Sequence, residues 1–183
     1  TDLGVLYETL AHEGYPGHLY FFNYVKQQGW HPINFFVSNI GFEEGWAEYA
    51  ARLSLDSWGL DPDMMEVIFL DQEFSYLLMG LSDIGINYGG WTVDDVYDLW
   101  ETYFYLDSAE DVRDVYDACM AEPGTILSYS IGYYQICDLE EEVKEMLGES
   151  FDHNEFVTEL LSVGGASFDI TRSYIMEWAN EKL

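Results

Sequence analysis

Pro16, flanked by Gly14 and Gly17, interrupts a stretch otherwise patterned as helix, and it does so between two histidines, His12 and His18. Residues 2–26 carry apolar side chains at helical spacing on both sides of this break. On a regular helix, side chains six residues apart point about 120° apart around the axis. An unbroken helix would therefore turn the two imidazoles away from each other. Proline cannot donate to the helix ladder, and glycine relaxes the backbone. Gly14-Tyr-Pro-Gly17 thus reads as a bulge that returns His18 to the face of His12.

The rest of the chain is dominated by helix signals. Glu43 to Leu55 places Trp46, Tyr49, Ala50 and Leu53 on one stripe. Asp61-Pro62 opens a long apolar helix to about Ile86. Thr92 with Asp95 marks a capping-box start for a helix through Tyr103, and Ser108 with Asp111 another through Ala121. Pro123-Gly124 opens a helix ending near Gly148, and two shorter ones follow from Asn154 and from about Phe168. Phe35-Phe36-Val37 is the only candidate for a short extended piece. The expectation is an all-α fold, with residues 1–183 forming one helical domain.

The 183 residues suffice for one core, and nearly half are apolar. A formal charge of -29, from 35 acids against 6 bases, excludes nucleic-acid binding, which needs clustered Lys and Arg. It also disfavours an anionic membrane surface, and no apolar run is long enough to span a bilayer. Cys119 and Cys137 flank the Pro123-Gly124 turn at unequal separations, so they are expected as free thiols and leave the compartment open. The chain opens at Thr1 rather than Met and reads as a piece of something longer.

His12 and His18, with Glu44-Gly-Trp-Ala-Glu48 downstream, are the parts of a zinc site. Catalytic zinc takes three protein ligands from imidazole and carboxylate and keeps a fourth position for water. Glu13, beside the first imidazole, is then placed as general base. Glu43, Glu44 and Glu48 compete for the third ligand position. Glu44 and Glu48 share a helix face, so spacing does not choose between them.

The segments LAHEGYPGHLY, EEGWAEY, DIGINYGGWT and ILSYSIGYYQICDLEEEVKEMLGESFDHNEFVTELL resemble the C-terminal half of the bacterial "domain of unknown function 885" family, over about residues 5–175. That resemblance implies a mainly helical zinc peptidase of the gluzincin type, acting on short peptides or peptide C-termini. It implies His12, His18 and Glu44 as ligands of one zinc ion and Glu13 as base. It also implies an upstream helical region that supplies part of the cleft. Three positions depart from the family pattern: Met79 replaces an arginine, Asn87 a histidine, and Val157 a histidine. The alternative reading is a metal-binding or interaction domain without turnover.

A zinc peptidase also needs a donor for the oxyanion formed at the scissile carbonyl, and a tyrosine hydroxyl supplies one at neutral pH. Tyr129, in the Ser-Tyr-x-x-Gly pattern, is the candidate. Asp83 is a candidate to orient a ligand histidine or, alternatively, to hydrogen-bond within its own helix. His31 and His153 read as loop and helix-cap residues, and Trp46 and Trp91 as core.

Overall fold

The structure, a computed structural model, describes residues 3–30, 33, 36, 37, 39–57, 59 and 61–183. Among these the regular structure is helical: α1 (Leu3–Glu13), α2 (His18–Gln27), α3 (Ile40–Ser54), α4 (Pro62–Asn87), α5 (Val93–Trp100), α6 (Arg113–Ala121), α7 (Thr125–Leu147), α8 (His153–Ser162) and α9 (Phe168–Glu181). His31 and Phe35 lie outside the described residues.

The caps explain most boundaries. Asp61 accepts from the backbone N–H groups of Asp63 and Met64, and Pro62 sits at the first helical position, where a missing N–H costs nothing. Thr92 and Asp95 form a reciprocal capping box. Several boundaries differ from the sequence reading, among them the start of α3, which lies at Ile40 rather than Glu43 and is capped by Asn39. Helix α5 stops at Trp100 instead of Tyr103, and the chain leaves it through turns closed by Tyr103 N–H to Trp100 O at 3.0 Å. The Ser108–Asp111 box is formed, but it starts a 3-10 turn, Ala109–Val112, and α6 follows only after it.

Helices α3 and α7 cross at the centre. Phe42, Trp46, Tyr49 and Ala50 from α3 meet Ile136, Leu139, Val143 and Leu147 from α7. Phe21 and Val25 of α2, Phe156, Leu160 and Leu161 of α8, and Ile175 of α9 complete this core. Burying each such side chain contributes about 1.5–3 kcal/mol. The crossing is close because both helices carry glycine at the contact. A Cβ on Gly45 would lie 2.6 Å from the carbonyl oxygen of Gly132. Helix α1 lies against α3, and α4 packs on α7 and α6. A second apolar cluster, Ile86, Val96, Val112 and Cys119, joins α4 to α5 and α6.

Both cysteines are free thiols, as expected. Trp46 is buried in the main core, and Trp91 fills the space above Gly85. Among the described residues no helix is long and apolar enough to cross a membrane.

Candidate functional site

The turn between α1 and α2 sets the site. Helix α1 closes with Gly14 N–H donating to Leu10 O at 2.9 Å. Gly17 N–H then reaches back six residues to Ala11 O, also at 2.9 Å, across a cis Tyr15–Pro16 bond. Gly17 has no room for a side chain: its Cβ would lie 2.6 Å from Ala11 O and nearer still to His12 O. The sequence suggested a bulge within one helix; the chain instead ends one helix and starts another. The outcome for the histidines is the expected one, since their ring centroids lie 4.8 Å apart with planes at 90°. Trp46 fastens the turn to α3 by donating its indole N–H to Gly17 O at 3.4 Å.

Glu44 projects from α3 toward both rings. Its Oε2 lies 3.3 Å from His12 Nε2 and 3.4 Å from His18 Nε2. Glu48, one turn on, addresses the other edge of His12, with Oε1 3.1 Å from Nδ1. Glu43 makes neither contact among those formed by the two imidazoles, and burial raises its carboxyl. The two carboxylates that spacing left equivalent are thus placed differently: Glu44 faces both imidazoles, while Glu48 faces one from behind.

Several of these polar atoms are buried without a hydrogen-bond partner. Glu44 Oε2, His12 Nδ1, His18 Nδ1 and Glu48 Oε1 are among them. His12 Nδ1 and Glu48 Oε1 are close in distance, yet not aligned as a hydrogen bond. Buried polar atoms left unpaired are costly, so a cluster of them calls for a further partner. His12, His18 and Glu44 each offer a ligand atom, all within 4.8 Å of one another. Around a tetrahedral ion with bonds of about 2.0–2.2 Å, ligand atoms sit about 3.3–3.5 Å apart. The two Glu44–imidazole separations match that edge length, so the donor set fits a zinc-like cation.

The charges are strongly coupled. Burial disfavours the His12 imidazolium, but the Glu44 and Glu48 carboxylates outweigh it and hold the group up at about 10. Burial likewise works against the Glu44 carboxylate, and the two imidazoles overcome it, drawing the group down to about 2. Glu8, on α1 one turn before His12, is buried and held up at about 7 by desolvation and then by Glu48. Gln72 of α4 donates to Glu8 Oε1 at 3.0 Å and to Tyr76 OH at 3.2 Å.

Tyr129 of α7 stacks over His12, with ring centroids 6.0 Å apart and planes at 11°, and packs against Tyr76 at 5.0 Å. Burial, then the charge of Glu44, pushes its phenol up to about 12, so the hydroxyl stays protonated. Glu13 is the last residue of α1 and exposed, and its charge is felt at Tyr129.

Asp83 is not at the site. Its Oδ1 accepts from Asn87 at 3.0 Å and its Oδ2 from the backbone N–H of Gly124 at 2.8 Å, which ties α4 to the start of α7. Asn87 also donates to Cys119 O at 3.0 Å, which ties α4 to α6. The Met79 carbonyl accepts from the Cys119 thiol. Val157 and His153 line an aromatic cleft of about 460 Å³ with Tyr15, Pro16, Tyr20 and Trp46. His153 is paired there through Nδ1 to Glu140 Oε1 at 2.8 Å. The positions of Glu8 and Glu48 behind His12 escaped the sequence reading; the available signal was Glu8 four residues before His12, on the same face of α1.

Two solved structures share this fold. One, "the putative lipoprotein from Colwellia psychrerythraea", superposes with a TM-score of 0.80 at 24% identity. It is matched over 96% of this chain and 30% of its own. The other, "a putative lipoprotein of unknown function from Shewanella oneidensis", gives a TM-score of 0.77 at 23% identity, over 94% of this chain and 31% of its own. This chain thus spans under a third of the length of either. No curated protein matches it. Residues 5–175 match the model of one family, and the chain belongs to it: the bacterial proteins of unknown function DUF885.

Proposed function

We propose that this chain carries the metal centre of a zinc-dependent peptidase of the gluzincin type that hydrolyses peptide bonds, with short peptides as the substrate class. The observation that carries the reading is the meeting of His12 Nε2 and His18 Nε2 at one buried, unpartnered oxygen of Glu44. His12, His18 and Glu44 would hold the ion. When bound, zinc polarises a carbonyl and lowers the pKa of water.

The chain's own groups supply the remaining steps. Glu13, exposed at the end of α1, accepts the proton of the attacking water and returns it to the leaving amine. Tyr129, kept protonated by burial and by Glu44, donates its hydroxyl to the carbonyl oxygen as negative charge develops there. Trp46 and Gly17 keep His18 from swinging away with the turn.

Elemental analysis of the purified chain and of His12→Ala tests this directly. About one equivalent of zinc, lost in the variant, is the expected result, followed by cleavage in a short-peptide library. Absence of bound metal after zinc is supplied would overturn the reading. Stoichiometric zinc without hydrolysis would favour a metal-binding domain that does not turn over.

A further inference from the structure

We propose that the cleft lined by Tyr15, Tyr20 and Trp46 is a second binding site, distinct from the metal set, and that it takes a quaternary ammonium group carried on an apolar body. The inference stands without the metal reading.

The cleft lies on the far side of α3 from Glu44. Trp46 and Leu53, which line it, follow Glu44 by two and nine residues. At about 100° per residue they point about 160–180° away from it around the helix. The turn between α1 and α2 contributes Tyr15 and Pro16, and α8 contributes His153 and Val157. The space is about 460 Å³, within the range of pockets that hold a drug-sized molecule.

The lining selects by surface more than by hydrogen bonds. Tyr15 and Tyr20 meet edge-on, with centroids 5.0 Å apart and planes at 75°, and Tyr20 lies 6.5 Å from Trp46. The three rings thus form one continuous aromatic wall. Several polar heads around it are engaged within the protein. The Tyr7 hydroxyl donates to Ser54 O at 2.9 Å, and the Trp46 indole N–H to Gly17 O at 3.4 Å. His153 Nδ1 lies 2.8 Å from Glu140 Oε1. What remains on offer is ring faces, and a ring face attracts a cation. A quaternary ammonium also brings no N–H that would need an acceptor.

The charge of the chain points the same way. Its formal net charge is -29. Arg52, Arg113, Lys144, Arg172 and Lys182 are each already paired with a glutamate. Among the described residues that line the cleft, none is Lys, Arg, Asp or Glu. Any charge on the His153 ring is offset by the Glu140 carboxylate beside it. A cation is therefore drawn in by the field of the whole protein and held over the rings, without an ion pair. An anion is repelled by that field and gains nothing from the ring faces.

Isothermal titration calorimetry with choline and with dimethylbutanol, its neutral carbon isostere, compares two ligands of one shape that differ in charge. Choline is expected to bind at least about tenfold more tightly. Benzyltrimethylammonium, whose ring fills more of the cleft, is expected to bind more tightly than choline. Tyr15→Ala, at an exposed side chain, should weaken benzyltrimethylammonium by about threefold or more. Tyr20→Leu, which keeps apolar bulk and removes a ring, should weaken it by about tenfold. Helix content and melting temperature of Tyr20→Leu establish that its fold is intact. Glu44→Gln should stay within about threefold of wild type. Equal affinity for choline and the alcohol, or no binding of benzyltrimethylammonium at millimolar concentration, would overturn the proposal. Wild-type affinity in both tyrosine variants would overturn it too, reducing the attraction to that of any acidic surface. A loss confined to Glu44→Gln would place the cation among the metal ligands and overturn the second site.

Discussion

Gly132 of α7 rests against Gly45 of α3 so closely that a Cβ on Gly132 would lie 2.9 Å from Gly45 Cα. Glu44 precedes one glycine and Tyr129 stands one turn before the other. The crossing that builds the core is thus also what brings the phenol over the His12 ring. Gly132→Ala would press its methyl onto backbone, not onto a side chain that could swing aside. Overpacking of cores costs about 1–3 kcal/mol, and this variant is expected at the upper end or beyond. Chemical denaturation of the variant measures it; a loss below about 0.5 kcal/mol would mean that the helices separate freely.

Gly17→Ala attacks the turn between the histidines. Its methyl would meet Ala11 O and His12 O, so the turn must open. The expected effect is a loss of at least tenfold in zinc affinity, about 1.4 kcal/mol, with most of the helix content retained. Chelator competition together with circular dichroism separates the two. Unchanged affinity would show that His18 reaches its position without this turn.

The proposed roles of Glu13 as base and Tyr129 as oxyanion donor predict kinetics different from those of the proposed ligands. Glu13→Gln is expected to lower turnover by about 10²–10⁴-fold while leaving bound zinc unchanged. Tyr129→Phe should lower kcat by about 10²–10³-fold, again with metal retained. Steady-state kinetics beside metal analysis checks both; full activity in Glu13→Gln removes it as the base.

The metal-free chain should be most stable on the acid side of neutrality. Glu44, drawn down to about 2 from an ordinary 4.5, contributes stability present above 4.5 and lost as the pH falls toward 2. His12, held up at about 10 from an ordinary 6.5, contributes stability present below 6.5 and lost as the pH rises toward 10. Glu8, held up at about 7, loses stability over the window from 4.5 to 7 as the pH rises. The three together place the optimum near pH 4.5. Zinc must displace the His12 proton, so the melting-temperature gain on adding zinc should grow from pH 6 to about pH 9. Melts in chelator and in zinc across that range test this; a gain that shrinks with pH would contradict it.

Most helix boundaries were legible because they are written locally, in caps such as Asp61-Pro62 and Thr92 with Asp95. The return of His18 toward His12 was legible for the same reason, since Gly14, Pro16 and Gly17 are neighbours in the chain. Long-range choices stayed open. Glu44 and Glu48 are equivalent on their own helix, and only the docking of α1 distinguishes them. Asp83 was open between orienting a histidine and bonding within its own helix; it does the latter with Asn87, and its second partner, the N–H of Gly124, lies 41 residues away. The early end of α5 at Trp100 is tertiary too, the Trp100 indole being drawn to Ser82 of α4 at 3.0 Å.

His12, His18 and Glu44 all come from the first three helices, whereas Tyr129 is brought in by α7. On the proposed reading the ligands and the base, Glu13, therefore share one end of the chain, and only the oxyanion donor has a separate genetic address. Drift in α7 could then weaken the proposed chemistry while the ion stays bound.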